Sequence, residues 1–191
     1  MADTLGFDPA RIERLRSPER LRYFNPELIW EVLQPSDKCT LIDIGAGVGF
    51  LTIPFAENFP HAKVYGCDIL EGMVHELRED AKGRGLDNLH PLQMSPNHVN
   101  LSNDVADFIV MTQVHHELDA PESLLVECMR LLKPGGTIAI VDWADDENGK
   151  SPPAGRRVPV SRIRAQLQSA AFENITTHDV YDYHVFVTAI A

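Results

Sequence analysis

Asp43-Ile44-Gly45-Ala46-Gly47-Val48-Gly49 sets three glycines at alternate positions behind a carboxylate. Glycine reaches backbone angles closed to other residues and lets a ligand lie against bare peptide groups. A loop that grips a pyrophosphate uses the spacing G-x-G-x-x-G. Here the third position after Gly47 is Phe50, so the spacing is D-x-G-x-G-x-G. Asp68 follows 19 residues after Gly49. A carboxylate so placed accepts hydrogen bonds from both hydroxyls of an adenosine ribose. Loop and carboxylate together describe a nucleoside carried without a pyrophosphate, and they argue against a nicotinamide-dependent oxidoreductase.

His115 and His116 form a second group. An imidazole titrates near 6.5 in its unperturbed state and suits a general base for an acceptor that must lose a proton. Both side chains could instead fix their loop or cap the following turn. Glu117 and Asp142 are further carboxylates near the same edge. The two histidines are adjacent rather than one helical turn apart, and no third ligand stands near them, so no metal is expected. Cys39, Cys67 and Cys128 have no metal-ligand or redox spacing and read as small buried apolar residues.

The elements that must position these groups alternate. Leu28, Ile29, Val32 and Leu33 share a helical face that ends before Pro35. Thr40–Gly45 is a compact apolar run, the mark of a buried strand. The glycine turn at 45–49 leads into a helix through about Asn58, with Pro54 near its first turn, where a missing N–H costs little. Lys63–Asp68 is a second strand. Leu70, Met73, Val74, Leu77 and Ala81 step around a helix ended by Gly83 and Gly85. Leu89–Met94 and Ala106–Thr112 are the third and fourth strands. Leu124, Leu125, Cys128, Met129 and Leu132 make an amphipathic helix stopped by Pro134-Gly135-Gly136. Thr137–Trp143 is a fifth strand, residues 144–160 are a polar Pro/Gly-rich loop, and Ile163, Leu167 and Ala170 mark a last helix. Asn174–Tyr181 and Tyr183–Ile190 are the final strands. This order predicts an α/β fold, a doubly wound and mostly parallel sheet of seven strands covered on both faces. The last two strands have no helix between them and must pair antiparallel at one edge.

Leu41–Thr52 resembles the first motif of class I S-adenosylmethionine-dependent methyltransferases, and Val64–Ile69 resembles the second. Asp107–Leu118, with His115-His116-Glu117-Leu118, resembles the fourth-strand region of the small-molecule branch. Leu131–Asp142 resembles that family's turn into its fifth strand. The resemblance covers about residues 25–143 and implies the Rossmann-like methyltransferase fold with an antiparallel edge strand. It implies S-adenosyl-L-methionine as cofactor. Asp43, Gly45, Ala46, Gly47 and Gly49 would surround its amino-acid part, and Asp68 its ribose. Ile69 and Met73 would pack near adenine, and Thr112 and Gln113 would lie near the methionine moiety. The family's third strand usually ends in an acidic residue that meets the adenine amino group. Here Met94-Ser95-Pro96 stands instead, and Ser95 can still accept a hydrogen bond. No Asn/Asp-Pro-Pro-Tyr-type motif follows the fourth strand. The implied activity is methyl transfer to a small-molecule acceptor, with His115 or His116 as catalytic base. A non-catalytic cofactor-binding regulator or partner subunit would need the same glycines and Asp68.

The totals narrow the partners. The 191 residues fit one domain over residues 25–191, preceded by a polar segment, residues 1–24, with five arginines from Arg11 to Arg22. That segment and the loop carrying Arg156 and Arg157 are candidate lids, and an acidic chain with basic lids suits an anionic acceptor. A net charge of −11 argues against general affinity for nucleic acid or anionic membrane. The N-terminus lacks a basic region followed by an apolar run, and no apolar stretch approaches the roughly 20 residues that span a bilayer. A cytoplasmic protein is the expectation. With no large inserted substrate domain, the acceptor site is built from short segments, and the second copy of a homodimer is a candidate to complete it.

Overall fold

The computed structural model describes residues 9–144 and 157–191. Seven strands form one sheet: β1 (Thr40–Ile44), β2 (Lys63–Asp68), β3 (Leu89–Gln93), β4 (Ala106–Thr112), β5 (Leu132–Trp143), β6 (Glu173–His178) and β7 (His184–Ile190). Their order across the sheet is β3-β2-β1-β4-β5-β7-β6. The first five are parallel, whereas β7 runs against both β5 and β6. The strand that turns against the rest therefore lies one place in from the edge, and β6 is the edge itself.

The helices are α1 (Pro9–Arg16), α2 (Glu27–Leu33), α3 (Thr52–Asn58), α4 (Glu71–Arg84), α5 (Pro121–Leu131) and α6 (Val160–Ser169). They cover both faces, which is why the central strands read as unbroken apolar runs. Ile42, Ile44, Ile109, Met111, Ile138 and Ile140 pack in one layer with Leu124, Leu125 and Cys128 of α5 and Ile163 and Leu167 of α6. Leu41, Val64, Val110, Ala139 and Val141 pack in the other with Ile29 of α2, Phe55 of α3 and Leu77 of α4. The glycine loop 45–49, Asp68 and the His115-His116 pair all fall at the carboxyl ends of parallel strands, β1, β2 and β4. Cys39, Cys67 and Cys128 are all buried and free. Among the described residues no helix is long and apolar enough to cross a membrane.

Several boundaries differ from expectation. Gly83 does not end α4; it lies within the helix, and Gly85 closes it in the left-handed region at φ +68°, donating to the carbonyls of Ala81 and Lys82. Pro134-Gly135-Gly136 does not stop α5. The helix ends at Leu131, and Leu132 is already extended and paired with Ala106. The Pro-Gly-Gly segment instead forms an irregularity inside β5, where the register with β4 shifts between Ala106 and Phe108. The final strands are shorter than Asn174–Tyr181 and Tyr183–Ile190, because 179–183 form their connection. Val160 opens α6 rather than closing the preceding loop; Arg156 and most of that loop, 145–156, lie outside the described residues. Residues 9–24 pack onto the domain: Ile12 is buried against Val48 and Met73, and Phe24 sits inside the second layer.

Candidate active site

The glycine loop links β1 to α3. Gly45, Gly47 and Gly49 have φ of +73°, +55° and +86°, a region that side chains enter at a cost. The N–H groups of Gly45 and Ala46 donate to the Cys67 carbonyl at 2.7 and 3.0 Å, tying the loop to the end of β2. The glycines are not equivalent. A Cβ on Gly45 would stand 2.4 Å from Val114 Cγ2, and one on Gly49 would stand 2.5 Å from Leu77 Cδ1. A Cβ on Gly47 would meet only Leu15 Cδ1, at 4.0 Å. Gly45 and Gly49 are thus required by packing, whereas Gly47 presents an open backbone face.

Two carboxylates flank the loop. Asp68 accepts from the N–H of Gly47 on Oδ2 and from that of Leu70 on Oδ1, both at 2.9 Å. Those bonds fix the carboxylate beside the glycine loop. Asp43 accepts from Thr52 Oγ1 at 2.6 Å on Oδ2, while its Oδ1 is buried without a hydrogen-bond partner among the described residues. Burial pushes its carboxyl up to about 7, against the pull of the Thr52 hydroxyl and with a smaller contribution from Asp68.

The remaining positions lie along the same edge. Ile69 is 49% exposed at the end of β2, and Met73 is buried beneath α1. Met94 donates its N–H to the Asp68 carbonyl, and the exposed Ser95 follows, bridged to His98. Thr112 ends β4. Gln113 turns out of the strand at φ +57° and donates its N–H to Val141 at 2.7 Å. Its Oε1 accepts from Arg20 at 3.0 Å, and its amide N–H donates to His184 Nε2 at 2.8 Å. His184 stacks on Trp143 with ring centroids 4.4 Å apart, and Phe24 and Tyr181 close the cluster. In the sequence, Gln113 is marked for this edge and Arg20 counts only among the arginines of a candidate lid, while Trp143 and His184 have no role beyond their strands.

The two histidines part company. His116 hooks onto the end of β5. Its N–H donates to Asp142 Oδ2 at 2.8 Å, and its Nδ1 pairs with Asp142 Oδ1 at 2.7 Å. Asp142 also accepts from the Trp143 N–H at 2.7 Å. An imidazole donating from Nδ1 to a fixed carboxylate keeps Nε2 basic. His115 turns toward α6, with Nε2 at 2.8 Å from Gln166 Oε1, and burial pulls it below the usual histidine range.

The N-terminal residues lie across this edge. Ile12 and Leu15 of α1 cover Val48, Leu70 and Met73. Arg16 reaches Glu76 and Asp80 on α4 at 2.9 and 2.7 Å. Arg20, in the 3-10 turn Pro18–Arg22, caps the Leu15 carbonyl and stacks 4.0 Å from the Phe50 ring centroid. Burial lowers its guanidinium to about 10, which leaves it charged at neutral pH.

Comparison with known proteins agrees with this architecture. Residues 42–140 match the methyltransferase domain family. An S-adenosylmethionine-dependent methyltransferase from Aquifex aeolicus superposes with a TM-score of 0.89 at 32% identity, covering 96% of this chain and 98% of that one. A malonyl-[acyl-carrier protein] O-methyltransferase of Geobacter sulfurreducens is 26% identical over 78% of this chain and 62% of its own length. A ubiquinone/menaquinone biosynthesis C-methyltransferase of Paracoccus denitrificans is 27% identical over 59% of this chain and 45% of its own. The chain thus spans less than two thirds of either curated relative. With the family model matched over residues 42–140 and a relative 32% identical over nearly the whole chain, the chain belongs to the class I S-adenosylmethionine-dependent methyltransferases.

Proposed function

We propose that the protein transfers a methyl group from S-adenosylmethionine to a small-molecule acceptor, and that His116 receives the proton the acceptor gives up. The observation that carries this reading is Asp43 Oδ1, a buried carboxylate oxygen without a partner among the described residues, beside an open glycine backbone. An uncompensated buried carboxylate selects a cation, and the cofactor's amino-acid part carries an ammonium group. Asp68 supports the ribose, and Gly47 lets the ligand approach the backbone. When bound, S-adenosylmethionine supplies a methyl group on a cationic sulfur that leaves as a neutral thioether.

The chain's own residues do the rest by placement. Asp142 is the positioning residue: it accepts from the His116 backbone N–H and pairs with ring Nδ1, so proton transfer falls to Nε2. That proton leaves the acceptor as its lone pair forms the new bond to carbon and the carbon–sulfur bond breaks. Gln113 and the His184–Trp143 stack form the wall next to the methionine end. The N-terminal segment excludes water from the cradle and must swing aside to admit the cofactor.

Parallel calorimetric titrations with S-adenosylmethionine, S-adenosylhomocysteine and NAD test the reading. Micromolar binding of the first two and none of the third is the expected result. A protein that ignores S-adenosylhomocysteine would sink the cofactor assignment. Conversion of labelled S-adenosylmethionine with a panel of small acceptors then separates an enzyme from a binding module.

A further inference from the structure

A cavity of about 130 Å³ opens on the far side of the 3-10 turn His115–Glu117. Arg157, Arg162, His115, His116 and Gln166 supply its polar lining. At roughly 30 Å³ per water, that volume holds about four waters, which is room for a carboxylate or a phosphate group. The first residue of α5, Pro121, and the first turn of α6, through Arg162, both line it, so two helix N-termini converge there. The positive ends of the two helix dipoles and the two guanidiniums favour negative charge.

A separate observation points to a missing ligand. His115 is only 2% exposed, and its Nδ1 is buried without a partner among the described residues. Its other nitrogen donates to Gln166 Oε1, and the Gln166 amide donates in turn to Glu122 Oε1 at 3.1 Å. Both residues are thus locked in orientation with one imidazole edge unsatisfied. The acidic groups facing His115 are Glu122 on α5 and Asp142 on β5, and Glu117 stands 3.9 Å from His116 Nε2. None of the three lines the cavity. Asp142 bonds His116 and Trp143, and Glu122 lies close enough to Arg162 to feel its charge.

The cavity also has a place in the proposed reaction. Val114, which packs against Gly45, immediately precedes His115, and His116 both lines the cavity and binds Asp142. We infer that this cavity holds the anionic group, a carboxylate or phosphate, of the methyl acceptor, an inference that rests on the methyltransferase reading above. Arg157 and Arg162 supply the charge, Gln166 and His115 the fixed wall, and His116 stands between the anchored group and the methylated atom. Anion binding draws a proton onto His115 Nδ1, which then donates to the ligand.

The test uses inorganic phosphate as probe, read by calorimetry and by the imidazole NMR signals of the full-length protein. Saturable binding is expected, with His115 moving toward its protonated signature. Arg157→Gln and Arg162→Gln should each weaken phosphate binding about tenfold, the size of one charge-assisted hydrogen bond. S-Adenosylhomocysteine affinity, measured on the same variants, should not change, which separates failure here from failure of the cofactor assignment. An acceptor panel sorted by charge should yield anionic substrates, with Arg162→Gln raising KM and leaving kcat near wild type. Absence of saturable phosphate binding, or binding unaltered in both variants, would overturn the site. Phosphate that binds while only neutral or cationic acceptors are methylated would make it a separate ion site and overturn the acceptor assignment.

Discussion

Asp43 gives one oxygen to Thr52 and keeps the other buried without a partner among the described residues. With its carboxyl raised to about 7, the folded protein holds a proton that the unfolded chain releases near pH 4. The sign follows: Asp43 favours folding fully below about pH 4, and that contribution is lost as pH rises through about 7. A cation beside Oδ1 favours the charged form, so ligand binding at pH 6 should expel a proton. Affinity for S-adenosylhomocysteine should then rise up to about fivefold from pH 6 to 7. Calorimetry in buffers of different ionisation enthalpy reads both effects, and a pH-independent affinity would mean that no cation sits on Asp43. Asp68→Ala should weaken the same ligand by about 1–3 kcal/mol, from lost charge-assisted bonds. His116→Ala should lower kcat by about 10²- to 10⁴-fold with cofactor affinity retained; wild-type turnover would return His116 to a structural role. Asp43 was legible in the sequence because it adjoins the glycine turn, and Asp68, 21 residues from Gly47, because of its spacing from that turn. The partnership of His116 with Asp142 was not, since 26 residues separate them and only strand pairing brings them together.

The glycine loop separates two kinds of requirement within a single element. Gly49→Ala forces a methyl into Leu77 and Ile53, at 2.5 and 2.8 Å, at a φ that alanine dislikes. Overpacking of this kind costs about 1–3 kcal/mol and should lower Tm by several degrees. Gly47→Val meets no packed neighbour but puts a β-branched residue at φ +55°, a cost of about 1–2 kcal/mol, so the fold should survive at a lowered Tm while binding of S-adenosylhomocysteine is lost. Thermal melts and titrations of the two variants check the contrast; a Gly47→Val protein that binds normally would mean the ligand never touches that backbone. Strands and helices with strong periodicity were readable because a strand buried on both faces has to be apolar, as the run Phe108-Ile109-Val110-Met111 shows. The punctuation was less reliable. Gly83 meets nothing within 4 Å and is tolerated on the surface of α4, and Pro134-Gly135-Gly136 is absorbed as a bulge because β4 captures Leu132 first.

Across the whole molecule, the N-terminal residues, β4 and β7 meet in one contact. Arg20, Gln113 and His184 are joined by side-chain bonds spanning 93 and 71 residues of sequence, which no local pattern reports. The cover they help fasten is also pinned by Arg16 to α4. Exposed ion pairs of this kind are worth about 0.2–1 kcal/mol each. Arg16→Ser should therefore speed cofactor association by about two- to fivefold; stopped-flow fluorescence would show it, and an unchanged rate would mean that the segment does not gate the cleft. The insertion of β7 between β5 and β6 has a consequence for how the chain comes to be folded. Seven rungs join β5 to β7, from Thr137–Ile190 to Trp143–His184. A ribosome delivers β5 some forty residues before those partners exist. During that interval Ile138 and Ile140 sit on a strand with one unpaired side, open to pairing with other nascent chains. The molecule is thus most exposed to misassembly between the synthesis of β5 and that of β7, and closure of the sheet is a non-local step.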